Sequence, residues 1–294
     1  MIASTPVPGQ VELLGSYWTF AGGALPHTDR EYSTFNFRDR VEALSRTGFH
    51  GMGIWHADLE HVLKSYTLAE MKQILGDNGI RHVELEFLTD WFVEGEEKRR
   101  SDIRRALLLQ ASAALGAHHV KVGDFFQKKT PMPKLIDSFG ALCEEAARFD
   151  AVIGFELMPY AMIDTLEESL VMVEGANAAN GGIILDLWHV VKLHIPYAQA
   201  AAIPPRFLIS VEINDGYLVR PEGMDFVTET TEHRKFPGEG EFDVRGFVAA
   251  IWNAGYRGPV GIEVLSKEIR SWPLERVVSR AWSTTMKQFE GLTP

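Results

Sequence analysis

Short apolar segments alternate with longer amphipathic segments along almost the whole chain. Apolar runs bounded by turn residues predict strands, whereas apolar positions spaced three and four residues apart predict helices. The pattern predicts strands at 11–14, 51–55, 81–87, 119–122, 151–157, 182–187, 207–213 and 259–264. It predicts helices at 37–46, 68–75, 98–115, 134–149, 165–176, 244–254 and 274–289, with a short helical piece near 198–202.

Strict alternation of strands and helices implies right-handed crossovers and a parallel sheet. Eight such units within 294 residues are what a closed (β/α)8 TIM barrel requires, so we predict one barrel domain over 1–294. An open doubly wound sheet is the alternative, but the segment LLGSYWTFAGG after the first strand lacks the glycine-rich phosphate loop. The longest irregular stretch, 214–242, follows the seventh strand and is expected to be functional.

The composition is that of a globular protein, with 46% hydrophobic residues and a formal net charge of −11. A surface of this sign repels phosphate groups, which disfavours binding to nucleic acids and anionic membranes. One cysteine, Cys143, excludes an intramolecular disulfide and a cysteine-rich zinc site, and its apolar neighbours predict a buried thiol. The segment MIASTPVPGQ does not resemble a signal peptide, and no apolar run is long enough to span a bilayer. We therefore expect a soluble, cytoplasmic protein.

Acidic residues end four consecutive predicted strands. Glu156, Asp186, Glu212 and Glu263 each follow an apolar run, and Asp215 lies just beyond the third of them. Because the carboxyl ends of barrel strands meet at one mouth, four such acids would be desolvated and mutually repelling without a cation. Each acid alone is as readily explained by a helix cap or a salt bridge. Together they predict a divalent metal site, and an all-oxygen ligand set suits Mg²⁺ or Mn²⁺.

Several of these segments resemble the xylose isomerase-like barrel superfamily of sugar isomerases, epimerases and inosose dehydratases, to which apurinic-site endonucleases are related. The matching segments are GFHGMGIWH, FELMP, ILDLWH, HRKFPGEGEFD and GIEVLS, and the resemblance covers nearly the whole chain. It implies a metal held by Glu, Asp, His and Glu from strands five to eight. Glu156, Asp186 and Glu263 match this set, whereas Glu212 stands where many epimerases have histidine. The substitution argues against Zn²⁺, or else Glu212 is not a ligand and the site is weakened or metal-free.

Basic and aromatic residues near the same strand ends are candidates for binding the substrate. His189 matches the Asp-x-x-His pattern of the resemblance, in which the histidine contacts substrate. His233, Arg234, His56, His27 and Lys121 are further candidates, each also explicable as an ordinary buried or solvated side chain. Aromatic residues accumulate at the same mouth, namely Tyr17, Trp18, Phe20, Trp91, Phe125, Phe126, Tyr160 and Trp188, and Trp18 and Trp91 are the better candidates for a hydrophobic wall.

The third predicted strand carries two glutamates, Glu84 and Glu86, two residues apart and hence on one face. One of them could line the pocket, or both could form a salt bridge with Lys121 inside the barrel. The alternation places Val83, Leu85 and Phe87 on the opposite face, under the helices.

The resemblance and the acids together predict an isomerase or epimerase that moves a proton next to a carbonyl group through an enediolate. Glu156 and Glu263 would act as the two acid–base groups, and His189 with Arg234 would stabilise the oxyanion. The same intermediate can eliminate a hydroxyl group, so a dehydratase or lyase acting on a keto-sugar, inositol or glycoside-like substrate is the alternative.

Two rival functions remain. The net charge and the missing histidine argue against an apurinic-site endonuclease. A non-catalytic sugar-binding barrel would fit a degraded metal site. The predicted partner is a small polyhydroxy molecule, and a homodimer through Trp272 and Trp282 is an alternative to simple packing of the last helix.

Overall fold

Eight parallel strands hydrogen-bond in sequence order, and the first strand closes the sheet against the eighth. The computed structural model describes residues 11–125 and 127–292. The strands are β1 (Leu13–Gly15), β2 (Gly51–Trp55), β3 (His82–Leu88), β4 (His119–Val122), β5 (Ile153–Glu156), β6 (Gly181–Asp186), β7 (Leu208–Ile213) and β8 (Val260–Ile262). The predicted TIM barrel is confirmed.

Helices cover the outside of the barrel and follow its strands. They are α1 (Phe37–Thr47), α2 (His56–Val62), α3 (Leu68–Asp77), α4 (Gly95–Leu115), α5 (Met132–Ala147), α6 (Leu166–Ala176), α7 (Leu187–Lys192), α8 (Tyr197–Ala201), α9 (Phe226–Glu232), α10 (Val244–Asn253) and α11 (Leu274–Gln288). Short 3-10 helices lie at Tyr17–Thr19, Pro205–Phe207 and Ile269–Ser271. No helix of the described ranges is long and apolar enough to cross a membrane.

Local capping explains several helix ends. The Thr67 side chain and Glu70 form a capping box at the start of α3, and the Thr165 side chain accepts a hydrogen bond from the Glu168 backbone in α6. Gly48 ends α1 in the left-handed region at φ 110°, where a side chain would be strained. The predicted end of this helix at residue 75 was wrong, because α3 continues through Gly76 to Asp77.

Three short helices, α2, α7 and α9, were not predicted. Two of them begin at the residue after a strand, so the chain passes directly from strand to helix without a turn signal. In α7 the Asp186 side chain caps the helix by accepting hydrogen bonds from the backbone nitrogens of Trp188 and His189, at 2.6 and 3.4 Å. In α9 the Asp225 carboxylate accepts from the Thr228 nitrogen at 2.9 Å. Short polar caps therefore begin α7 and α9, whereas α2 has no side-chain cap, and apolar periodicity reveals none of the three.

Strand β3 only partly follows the predicted alternation. Val83 and Leu85 pack in the main hydrophobic core, as expected. Phe87, predicted to lie under the helices with them, instead packs in a smaller cluster around the barrel mouth and lines the cavity there. The pairing of β3 with β4 is irregular between Leu85 and Leu88, which interrupts the two-residue alternation at this point.

One carboxylate, Asp215, organises the loop between β7 and α10. Its oxygens accept hydrogen bonds from the backbone nitrogens of Phe242 and Gly238, at 2.9 and 3.0 Å. A Cβ atom on Gly240 would lie 2.2 Å from an Asp215 oxygen, so glycine is required by this close approach. The stretch 214–242 is therefore a folded loop, and the PGEG motif shapes it.

The two tryptophans considered for a dimer interface pack within the chain. The Trp282 ring lies 5.5 Å from that of Phe49. The Trp272 ring lies 6.2 Å from that of Phe236, and the Arg276 guanidinium lies 3.6 Å from its centroid. Both side chains thus have intramolecular partners, and the homodimer stays a prediction. Cys143 is fully buried, as expected, and burial raises the pKa of its thiol to about 12.

A buried ion pair joins α1 to α2. The Arg40 Nη2 atom lies 2.6 Å from the Asp58 Oδ2 atom, and each side chain is 1% exposed. The second Asp58 oxygen accepts a hydrogen bond from the Ser33 backbone nitrogen at 2.9 Å. The pair thus fixes two helices and the segment before them.

Replacing Asp58 by alanine should lower the free energy of unfolding by about 3–5 kcal/mol, because the Arg40 charge would stay buried without a partner. Urea denaturation followed by circular dichroism measures this. Glu42→Ala is the matched control, since Glu42 pairs with Arg38 on the surface of α1 at 4.0 Å and should contribute less than about 1 kcal/mol. Equal losses in the two variants would contradict the interpretation.

Candidate active site

The four predicted metal-binding acids meet at the carboxyl ends of β5 to β8. One oxygen atom from each of Glu156, Asp186, Glu212 and Glu263 lies within 4.8 Å of the others. All four residues are buried, with at most 5% of the residue exposed. Adjacent strands hold them in register, since Asp186 pairs with Glu212 in the sheet. The structure therefore concentrates four carboxylates at one point of low solvent access.

Lys121 on β4 lies beneath this acid cluster and is fully buried. Its Nζ atom is 2.8 Å from both oxygens of Glu212. It is also 3.5 Å from Glu86 and from Glu263, and 3.6 Å from Glu84. The predicted barrel-interior salt bridge between Lys121 and the two β3 glutamates is present at these distances. Both oxygens of Glu212 are thus already bonded to a cation supplied by the chain.

Arg234 connects two other acids from above. Its Nη1 atom donates to Asp186 Oδ2 at 2.8 Å and to Glu263 Oε2 at 2.9 Å. The Asn214 side-chain nitrogen donates to both Asp186 oxygens at 3.0 Å and to the Glu263 backbone oxygen at 3.1 Å. The guanidinium carbon also lies 5.1 Å from the Trp188 ring centroid. Arg234 and Asn214 therefore fix the positions of Asp186 and Glu263.

His189 lies next to the remaining acid. Its Nε2 atom is 3.3 Å from Glu156 Oε1, and both side chains are almost fully buried. Its Nδ1 atom has no hydrogen-bond partner among the described residues. Glu156, Asp186 and His189 also form a second possible metal-binding group. The capping of α7 by Asp186 holds this histidine directly above the acids.

Burial and the neighbouring cations separate the acids by their pKa values. Burial raises the pKa of Glu263 to about 8, although Lys121 and Arg234 act in the opposite direction. Burial likewise raises the pKa of Glu212 well above its ordinary range. For Asp186, burial favours the neutral form, but Arg234 and His189 outweigh it and lower the pKa. Asp186 is thus held ionised while Glu263 takes up a proton near neutral pH, and such a separation of pKa values suits acid–base chemistry.

A cavity of about 680 Å³ opens above the acids. Glu86, Glu156, Glu263, His189 and Arg234 belong to its lining. A row of stacked rings forms part of the wall: the ring of Phe87 lies 6.0 Å from that of Trp55 and 4.8 Å from that of Phe125, which is 6.3 Å from that of Tyr160. The interplanar angles are 21°, 25° and 29°. The cavity therefore has a charged floor and an apolar, aromatic wall.

The structure brings some predicted substrate-binding residues to the cavity and places others elsewhere. Trp18, His56, His27 and Arg234 line it. Lys121, Trp91 and His233 are not among its lining residues. Of the other residues in the predicted aromatic group, Tyr17, Phe20 and Trp188 are not among the lining residues, and Phe126 lies outside the described residues.

The three residues placed elsewhere each have a structural role in the chain. Lys121 is held under the floor by its ion pairs. Trp91 packs in the core, with its ring 5.9 Å from that of Phe139. His233 is fixed by a backbone bridge to Ser266. These placements differ from the expected contacts with substrate, because position near a strand end does not determine the direction of a side chain.

Sequence analysis missed Asn214, Ser16 and Arg104. Ser16 donates to Glu212 Oε1 at 2.6 Å, and Asn214 bridges Asp186 to β8. The segment EIND after β7 contained the signal for Asn214, because its asparagine lies two residues beyond Glu212 and hence on the same face. Arg104 lines the cavity from α4, far along the chain from any strand end, and nothing in the sequence pattern indicated it.

Comparison with known proteins agrees with this geometry. Residues 41–284 match the protein family described as xylose isomerase-like TIM barrels. The chain belongs to this family. The expected resemblance is therefore confirmed over most of the length.

Relatives in the xylose isomerase-like family include enzymes of two kinds. A 3-dehydroshikimate dehydratase of Pseudomonas aeruginosa is 28% identical over 239 residues, which are 80% of this chain and 37% of that protein. The chain thus spans well under half the length of this relative. An inosose isomerase of Halalkalibacterium halodurans is 22% identical over 259 residues, which are 84% of this chain and 89% of that protein.

Solved structures share the barrel at low identity. The IOLI protein with a bound zinc atom is similar at a TM-score of 0.81 and 18% identity, covering 95% of this chain and 98% of that one. D-allulose 3-epimerase from Methylomonas sp. in complex with D-allulose has a TM-score of 0.71 and 18% identity, covering 96% and 98% of the two chains. At this identity the likeness establishes the fold alone.

The donor set of the acid cluster fits a metal ion. Four carboxylate oxygens within 4.8 Å of one another can surround one cation, and the unpartnered Nδ1 atom shows that His189 is not fully committed to other contacts. Lys121 bonds both oxygens of Glu212. Asn214 bonds both oxygens of Asp186, and Arg234 bonds one oxygen each of Asp186 and Glu263. The cluster can therefore hold a metal, with Glu156 as the least committed of the four acids.

Replacing Lys121 by methionine should lower the free energy of unfolding by about 3–5 kcal/mol near pH 8, because Glu212 would be buried without its counter-ion. The stranded carboxyl would have a folded-state pKa above its unfolded value, so the loss grows as pH rises and shrinks towards about pH 5. Urea denaturation at the two pH values measures this.

The double variant Lys121→Met/Glu212→Gln is the control for this prediction. It removes both charges and should recover much of the lost stability. A Lys121→Met variant as stable as the unmodified protein, or equally destabilised at both pH values, would contradict the ion-pair interpretation.

Proposed function

We propose that this protein is a metal-dependent isomerase or epimerase that moves a proton next to the carbonyl group of a small polyhydroxy substrate. The observation that carries the proposal is the pair of acids on the cavity floor. Glu156 on β5 and Glu263 just beyond β8 line one cavity beside His189 and Arg234, with carboxylate oxygens within 4.8 Å. Two acid–base groups at one reacting carbon are what proton removal and return require.

The acid cluster would hold the metal through Glu156, Asp186 and Glu263, with Glu212 as a further oxygen donor shared with Lys121. All-oxygen ligands favour Mn²⁺ or Mg²⁺. When bound, such a cation supplies Lewis-acid polarisation of the substrate carbonyl.

The side chains of this protein perform the proton transfer itself. Glu156 would accept the proton from the carbon next to the carbonyl, with His189 at 3.3 Å orienting the carboxylate. Glu263, whose pKa burial raises to about 8, would return a proton to the enediolate. Arg234 and His189 would donate hydrogen bonds to the developing oxyanion. Held by Asp186 and Glu263, Arg234 is already in position before substrate enters.

A dehydratase is the second candidate function. The observation that favours it is the higher identity to 3-dehydroshikimate dehydratase, 28%, than to inosose isomerase, 22%. In this reaction Glu156 would take the proton from carbon, and the carbon–oxygen bond at the β position would break. The hydroxyl would leave as water with a proton from Glu263, so the chemistry begins with the same step.

Glu156→Gln and Glu263→Gln should each reduce exchange of the substrate carbon-bound proton with solvent by about 10²- to 10⁴-fold, because an amide cannot accept or return a proton. Incubation of keto-sugars and inososes in D₂O with the protein and Mn²⁺, followed by mass spectrometry, measures this exchange. The same mass spectra distinguish an isomerase or epimerase from a dehydratase, since elimination gives a product lighter by one water.

Glu167→Gln is the control for this experiment, because that carboxylate is exposed on α6. It should exchange protons like the unmodified protein. Full activity in both site variants would make the two-base scheme untenable, and absence of exchange with every substrate tested would remove the proposed function.

Mn²⁺ should raise the melting temperature of the protein, because a ligand that binds the folded state alone stabilises it by about 2.7 kcal/mol at 100 times its dissociation constant. Asp186→Asn keeps the helix cap and the side-chain size but removes one anionic ligand, so it should reduce the shift. Differential scanning calorimetry with and without EDTA measures both.

The outcome of this measurement decides between an enzyme and a binding protein. No bound metal and no stabilisation by Mn²⁺ or Mg²⁺ would favour a non-catalytic sugar-binding barrel. Asp137→Asn is the control, since this carboxylate is exposed on α5 and should leave the Mn²⁺ effect unchanged.

A further inference from the structure

The rim of the cavity contributed by α2 and α4 carries residues that the proton-transfer scheme does not use. In a closed ring of eight strands in sequence order, β2 and β3 lie across the mouth from β6 and β7. His56 follows β2, and Arg104 lies on the helix that follows β3. Both line the cavity that contains the acids. A substrate bound at the acids would therefore extend towards these two side chains.

Arg104 has a charge that no carboxylate in residues 11–125 or 127–292 pairs with. Its one hydrogen bond, to the Thr89 hydroxyl oxygen, is long at 3.4 Å. Two of the three acids near it have other partners: Asp90 pairs with Lys128 at 2.5 Å, and Glu31 accepts a hydrogen bond from the Trp55 indole at 3.1 Å. The third, Glu60, forms no ion pair with Arg104. A half-buried guanidinium thus faces the cavity without a direct ion pair, and the nearest acids act on it only at longer range.

His56 is the second element of this rim. It is 7% exposed, and its Nδ1 atom has no hydrogen-bond partner among the described residues. Burial, assisted by the charge of Arg104, lowers the pKa of His56 to about 3, so the imidazole is neutral. A neutral imidazole can donate one hydrogen bond to a ligand, and an unpartnered buried nitrogen is costly unless a ligand satisfies it.

The stacked rings connect this rim to the acids. Trp55, the residue before His56, begins the row that continues through Phe87 and Phe125 to Tyr160. The Tyr160 ring in turn lies 6.0 Å from that of His189. A flat apolar surface therefore joins the guanidinium end of the cavity to the acidic end, which suits a ring-shaped molecule polar at both ends.

We infer that Arg104 and His56 form a subsite for a carboxylate group of a cyclic polyhydroxy substrate. This inference rests on the proposed function and specifies its substrate class. The guanidinium of Arg104 matches the single negative charge of a carboxylate, and the guanidinium and the neutral imidazole of His56 can each donate a hydrogen bond to its oxygens. A phosphate dianion would be disfavoured by Glu31 and Asp90, which line the same cavity.

The test is the affinity of the full chain, with Mn²⁺ present, for two probes of equal shape. Quinate is a cyclohexane polyol with a carboxylate, and quinamide is its uncharged amide. Isothermal titration calorimetry should show quinate bound about 10- to 100-fold more tightly, as expected for charge-assisted hydrogen bonds. Arg104→Met should abolish this preference, and Arg104→Lys should retain part of it.

Arg99→Met is the matched control, because Arg99 is exposed on the same helix and pairs with Glu96. It should leave the quinate preference unchanged. The melting temperature of the Arg104→Met variant shows whether this variant still folds. If it binds quinamide as tightly as the unmodified protein does, its cavity is intact.

Equal affinity for the two probes, an unchanged preference in Arg104→Met, or no binding of either probe would overturn the inference. Tighter binding of inositol 1-phosphate than of quinate would overturn the assignment to a carboxylate. These results are independent of the deuterium-exchange experiment. Exchange on neutral polyols without a carboxylate preference would leave the proposed function standing and remove the subsite alone.

Discussion

The burial of carboxylates at the barrel mouth is the constraint on which the rest of this structure depends. Six acids from β3 and β5 to β8 lie within or above the barrel interior, namely Glu84, Glu86, Glu156, Asp186, Glu212 and Glu263. Such charges are unstable in a protein core unless cations or hydrogen bonds compensate them. Lys121 compensates the negative charge from below, and Arg234 compensates it from above. These ion pairs allow the acids to lie close together.

This electrostatic requirement explains features that are remote from the chemistry. The loop after β7 places Arg234 next to Asp186 and Glu263. Asp215 and the glycines of the PGEG segment fix the conformation of this loop. The PGEG motif is therefore structural, since its residues help to place a cation and do not themselves contact the six acids. Likewise, Asp186 caps α7 and so positions His189, which makes one residue serve both the fold and the site.

Sequence analysis predicted the barrel and the four acids because both depend on local pattern. Apolar runs fix the strands, and a charged residue directly after such a run must lie at a strand end. It could not assign Lys121 a single partner, since the choice among Glu84, Glu212 and a substrate depends on packing across the barrel. It misplaced Phe87 because a register irregularity interrupts the alternation, and it missed α2 and α7, which begin without a turn.

The pairing of Glu212 with Lys121 also explains how this chain can have a glutamate where many epimerases have a histidine. A histidine on the seventh strand would be a neutral ligand, whereas Glu212 alone would add one negative charge to three. Because Lys121 bonds both oxygens of Glu212, the pair is neutral as a unit, and the remaining acids present the same formal charge to a cation as three acids and a histidine would. The substitution therefore replaces a neutral nitrogen donor with an oxygen donor whose charge Lys121 already compensates.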